Sequence, residues 1–246
     1  MSQYPNPFAG SRGGREMLDY GSQADTLTVA QFFNTVYAWM CVGLALTACV
    51  GWYFAHNVDM LRVIYGSKGG FAAVGLGAFA VAWYVQSQAG RLSVGIATVL
   101  FLVYAAVIGA LLSGIFLVYT PKVLISAFLL TAGTFGGMSV YGFVTKRDLS
   151  RIGSMAIMLA LGFVIASFVN IFLQNDMLGW IITYAILVLF VIITAYDTQM
   201  LRQIAMQYAG DKQMAQRYAI VGSLMLYISF INLFISILRI LGNSRR

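Results

Sequence analysis

Residues 192–200 read I-I-T-A-Y-D-T-Q-M and close a run, residues 177–196, that carries no charged side chain. A helix needs about 20 apolar residues, at 1.5 Å each, to cross a bilayer. The run meets that length, and Asp197 follows it without a turn signal. A carboxylate at the centre of a spanning helix costs about 2.5–3.5 kcal/mol to insert, and less near the end. An acid so placed is a functional-site candidate. The competing reading is that Asp197 only marks where the helix reaches water.

Outward from this run the pattern repeats. Residues 26–58, 69–90, 92–121, 123–145, 152–175 and 218–238 are also free of charge. Each is long enough for one crossing and too short for two with a turn. The reading is an all-α integral membrane protein with seven transmembrane helices. Transmembrane barrels are excluded, because they need alternating strands of about ten residues. Composition agrees. The chain is 60% hydrophobic and 9% charged, against about 25% charged for a soluble domain. Lipid is the solvent for most of it.

Residues 1–29 form a polar tail, expected to be disordered or to lie on the surface, with no apolar core of the signal-peptide kind. Residues 30–242 form the membrane domain, and residues 243–246 a basic C-terminal tail. Tyr37 and Trp39 on one side of the first helix, and Trp52 and Tyr53 on the other, read as interfacial aromatics. Pro121 falls between the third and fourth helices, where its missing amide donor does no harm.

The net charge of +7 does not indicate nucleic acid. The bases sit in short clusters between apolar runs, a pattern of membrane orientation. With the N-terminus cytoplasmic, inner segments hold nine bases (Arg12, Arg15, Arg91, Lys146, Arg147, Arg151, Arg202, Lys212 and Arg217). Outer loops hold three (Arg62, Lys68 and Lys122), and Arg245 and Arg246 dissent. The expectation is N-terminus inside and C-terminus outside.

Cys41 and Cys49 lie about 12 Å apart on one helix, too far for a disulfide. With His56 they make no metal site. Chemistry of other kinds lacks its parts. There is no G-x-S-x-G or H-E-x-x-H, no second intramembrane acid for an aspartyl protease, and no lysine in the seventh helix for a Schiff base. No internal repeat supports a transporter of duplicated halves. The reading is not an enzyme.

At 100° per residue, Thr183, Thr194 and Asp197 share a face within about 60°. Ser229, Asn232, Ser236 and Arg239 share one within about 80° on the last helix, and Ser167 and Asn170 are neighbours on the fifth. One account is that hydroxyls and amides glue helices together, at about 0.6 kcal/mol per contact. The carboxylate favours the other, in which the stripes face a wet cavity that holds Asp197. Arg239 lies about 15 Å outward of Ser229 and is a poor partner for the acid. Arg91 is better placed by depth. Gly133 with Gly137, and Gly109 with Ser113, have the spacing of close helix contacts.

Three motifs occur together: T-K-R-D-L-S at residues 145–150, I-T-A-Y-D-T-Q at 193–199, and F-I-N-L-F-x-x-x-L-R-x-x-G at 230–242. In this the chain resembles the Bax inhibitor-1 family, and most of all its bacterial inner-membrane members. The resemblance implies a last helix surrounded by the other six and a cation leak, chiefly of calcium, gated by pH. It implies no cofactor other than calcium as the permeating ion. It also implies, as an alternative, a regulatory partner of a membrane-bound AAA protease. The family's sensor is a pair of aspartates with a basic residue near by. Asp197 matches the first aspartate. Where the family reads L-Y-L-D-F-I-N, this chain reads L-Y-I-S-F-I-N, so Ser229 stands at the second. Two carboxylates can share a proton, and a carboxylate and a hydroxyl cannot do so in the same way. The expected site is Asp197, Ser229, Asn232 and Asn170, with Arg91 as the positional candidate for the base. Asp197 alone would make a weak calcium ligand.

Overall fold

The computed structural model describes residues 11–88 and 91–243. Nine helices are found there: α1 (Ser11–Ala55), α2 (Val58–Tyr65), α3 (Lys68–Ser87), α4 (Val94–Leu112), α5 (Ile115–Val118), α6 (Pro121–Val144), α7 (Ser150–Leu173), α8 (Asp176–Gln207) and α9 (Lys212–Asn243). Seven segments among the described residues are long and apolar enough to span a membrane, with α4 and α5 together forming the third, Val94–Val118. Helices are the form the solvent demands. Hydrocarbon offers no partner to a backbone N–H or C=O, so each must be satisfied within its own segment.

Polar residues at the ends do the capping. Ser67 accepts from the Gly70 N–H at 2.9 Å to start α3, Asn175 from Leu178 at 3.0 Å to start α8, and Asp211 from Met214 at 3.0 Å to start α9. Such caps occupy donors that the first turn leaves free. Pro121 opens α6, where its lack of an N–H costs nothing. α7 ends on Gln174 in the left-handed conformation, φ 53° and ψ 38°.

α9 is the central helix. It packs against α1, α3, α4, α6 and α8. Over its apolar middle, 50% of residues are buried inside the bundle, against 11% for the same length of α7 at the periphery. Its buried face carries Leu224, Tyr227, Phe230 and Leu233, which join Phe101 of α4, Val36 of α1 and Phe135 of α6 in one apolar cluster. At that level the Tyr227 hydroxyl lies 2.6 Å from Thr47 Oγ1, which also donates to the Ala105 carbonyl. One buried hydroxyl pair thus ties α1, α4 and α9.

Several expectations change. Residues from Ser11 onward are helical as the first part of α1, and residues 1–10 and 244–246 lie outside the described part. Tyr37 turns its hydroxyl toward Ser139 of α6 and Thr198 of α8, so it also packs inside the bundle. Gly109 does make the close contact its spacing suggested, because a Cβ there would sit 2.7 Å from the Thr47 carbonyl oxygen. Gly133 and Gly137 do not, since nothing lies within 4 Å of a Cβ at either. The tight glycine on α6 is Gly142, whose Cβ would overlap the Ala195 carbonyl of α8.

Candidate functional site

Asp197, Thr198 and Gln199 are consecutive on α8, and at 100° per residue they point to three different neighbours. Asp197 turns to α9, where the Ser229 hydroxyl donates to its Oδ2 at 3.2 Å. Thr198 turns to α6, donating to Ser139 Oγ at 3.4 Å and to its own Thr194 carbonyl at 2.9 Å. Gln199 turns to the α6–α7 loop and holds it from both sides. Its Oε1 accepts from the Leu149 N–H at 2.9 Å, and its Nε2 donates to the Arg147 carbonyl at 2.8 Å. A single turn of α8 therefore fixes α9, α6 and the loop.

The helix does not stop at the acid. α8 continues for ten residues past Asp197 to Gln207. Asp197 is consequently not a water-facing end, and it is 3% exposed. Absence of charge was a poor ruler here, because Leu201 and Ala205 on the extension are still buried against neighbouring helices.

Beside Asp197 lies a cavity of about 410 Å³, bounded by α3, α4, α7, α8 and α9. It extends along α3 from Phe71 to Gln86, a rise of about 22 Å. Its walls are mainly apolar, with Ala78, Ile108, Leu161, Val164, Phe168 and Ile193 among them. Asp197, Ser229 and Asn232 supply its polar corner, and among the described residues Asp197 is the only carboxylate in the lining, which holds no Lys or Arg. Ser229 is 1% exposed. Asn232 lies one turn further along α9 and donates to its own Ile228 carbonyl at 2.8 Å. Ser229 is the one hydrogen-bond partner of Asp197 among the described residues.

The remaining polar stripes go elsewhere. Thr183 and Thr194 donate to the Gly179 and Phe190 carbonyls one turn back on their own helix. Ser167 donates to Phe163, and Asn170 accepts from the Asn175 N–H at 3.1 Å, which braces the α7–α8 turn. Neither Ser167 nor Asn170 lines the cavity. Arg91 is exposed in the α3–α4 turn and is also absent from the lining. Arg239 lies over Trp180, 6.0 Å from the ring centroid, about 15 Å along α9 from Ser229. The hollow thus has drier walls than three facing polar stripes would make. No group of three or more His, Cys, Asp or Glu among the described residues could hold a metal ion.

Sequence reasoning missed the two-sided clamp of Gln199. Its signal was a glutamine two residues after the acid, in the motif shared with the T-K-R-D-L-S loop that it grips.

Comparison with known proteins follows the same lines. The profile of the family described as "Inhibitor of apoptosis-promoting Bax1" matches residues 29–246. The "Inner membrane protein YbhL" of Escherichia coli (strain K12) is 43% identical over 215 residues, covering 87% of this chain and 92% of that protein. A protein of Deinococcus radiodurans is 41% identical over 217 residues, covering 88% and 92%. One of Borreliella burgdorferi is 36% identical over 230 residues, covering 93% and 99%. With seven spans, a central last helix and a match over residues 29–246, the chain belongs to the Bax inhibitor-1 family.

Proposed function

We propose that this protein is a pH-sensitive cation leak, chiefly for calcium, with Asp197 as the group that attracts and gates the ion. The observation that carries the reading is a buried carboxylate on a hollow, with one hydroxyl donor and, among the described residues, no cation in the lining beside it. A carboxylate left without a counter-charge in such surroundings is costly, so a site of this kind favours an ion or a proton. Hard cations take oxygen ligands, and Asp197, Ser229 and Asn232 bring oxygens to one corner. One carboxylate makes a weak site, which suits passage better than retention. Gating here is read as titration of a single acid against a hydroxyl, and not as a proton shared between two carboxylates. The name of the Escherichia coli relative and the loop bases support an inner-membrane location with a cytoplasmic N-terminus.

The test is calcium flux into liposomes that carry the full chain, at neutral and acidic pH, with Asp197→Asn alongside. The reading expects flux above that of empty vesicles, dependent on pH, with both features lost in the variant. Flux equal to that of empty vesicles at every pH overturns it.

A second reading is a regulatory partner of a membrane-bound AAA protease. It draws support from α1, which begins at Ser11 and carries Arg12, Arg15, Glu16, Asp19 and Asp25 ahead of its apolar part. That extension offers a handle on the N-terminal face. Unchanged recovery of the protease after deletion of residues 1–27 would count against it.

A further inference from the structure

A second hollow, of about 420 Å³, opens where α6 ends and α7 begins, on the same face as the N-terminus. Lys146, Arg147 and Arg202 line it. We propose that this pocket binds the phosphate of an anionic phospholipid headgroup at the membrane edge.

Four observations support the assignment. The first is unspent charge. No ion pair among the described residues involves any of the three cations. Asp148 also lines the pocket, but its Oδ1 is turned back to accept from the Ser150 N–H at 2.9 Å. Three positive charges thus face one negative charge that is already engaged.

The second is preorganisation. Arg202 rises from α8 half-buried, with Nη1 donating to the Phe143 carbonyl at 2.8 Å and its guanidinium 5.3 Å from the Phe143 ring centroid. A guanidinium has five N–H donors, and this contact occupies one. Its planar fork is held still for a bidentate partner, and phosphate is such a partner.

The third is a fixed wall. The Gln199 clamp grips the backbone at Arg147 and Leu149, so the loop that bears two of the cations is anchored to the helix that bears the third. The fourth is the rim. Phe143 and Val144 on α6 and Met206 on α8 are apolar and exposed at 38%, 67% and 49%. The pocket therefore merges with the lipid-facing surface, which favours a phosphate that arrives on acyl chains over one that arrives from water. Basic pockets between helices at the cytoplasmic face are a recurrent way to hold such headgroups.

The experiment uses the purified full chain in neutral detergent, titrated with phosphatidylglycerol, phosphatidylcholine or sodium phosphate, with the thermal unfolding midpoint as readout. Circular dichroism checks that each variant keeps its helices. Phosphatidylglycerol is expected to raise the midpoint and phosphatidylcholine to leave it nearly unmoved. Each removed charge should weaken the apparent affinity about fivefold, so Lys146→Gln with Arg147→Gln should weaken it well over tenfold. Lys212→Gln, a cation on the same face but outside the pocket, should change it less than twofold. Arg202→Lys keeps the charge but loses the fork, and should still weaken binding severalfold. Equal losses for Lys212→Gln and Lys146→Gln would mean general surface attraction and would overturn the site. So would indifference to headgroup charge. Sodium phosphate that displaces the lipid and reproduces its shift would assign the pocket to free phosphate instead.

Discussion

The Ser229 hydroxyl donates to the Asp197 carboxylate across 3.2 Å and joins α9 to α8 at the edge of the cavity. Each partner is all but inaccessible, at 1% and 3%. The pair is where a change of charge on α8 is felt directly by the central helix. A unit charge about 4 Å from an ion is worth about 4 kcal/mol at an effective dielectric of 20. Asp197→Asn should therefore lower calcium flux by about tenfold or more and flatten its pH profile. Ser229→Ala should keep the charge and the pH response while changing the flux less. Stopped-flow calcium dye measurements in liposomes would separate the two, and an unaltered pH profile in Asp197→Asn would refute the assignment.

Gly142 meets the Ala195 carbonyl two residues before the acid. A methyl group there forces the backbones of α6 and α8 apart. Gly142→Ala should cost about 1–3 kcal/mol, the range of overpacked cores, and should lower the midpoint of thermal unfolding. Gly133→Ala is the control, because its Cβ meets nothing within 4 Å. It should be neutral, or stabilising by up to about 1 kcal/mol through helix propensity.

Truncation of Gln199 removes both grips on the α6–α7 loop at once. Unpaired buried polar groups cost about 1–3 kcal/mol. Gln199→Ala should accelerate hydrogen exchange at Leu149 and leave exchange in the core of α9 unchanged. Equal protection of Leu149 in both proteins would show that the clamp does not hold the loop.

Asp148 provides a pH dependence outside the spans. The Ser150 hydroxyl, and then its backbone N–H, hold the carboxyl below its usual value of 3.8. A depressed carboxyl stabilises the folded loop above its unfolded-state value and loses that effect as pH falls through the folded one. The Ser150 amide, corrected for intrinsic exchange, should keep its protection down to about pH 4 and lose it below. Asp148→Ala should lack both the protection and the acid step.

How legible the site was depends on how local each feature is. Seven spans could be read from runs of uncharged residues, because lipid rewards an apolar stretch whatever lies beside it. Asp197 stood out on the same ground, as an acid with no turn before it. The caps at Ser67, Asn175 and Asp211 came only with the structure, although each acts within a turn of itself.

Asn170, Arg91 and Gln199 were not legible in this way. Depth and helical phase brought Asn170 and Arg91 toward Asp197 on paper, yet one braces a turn and the other is exposed outside the cavity. Residues that lie far apart in the chain meet only through the rotation and tilt of each helix, and those follow from side-chain packing over the whole bundle. An apolar run carries the insertion energy of its own segment. Which polar faces finally oppose each other is a property of all seven segments together, so Ser229 met Asp197 and Asn170 did not.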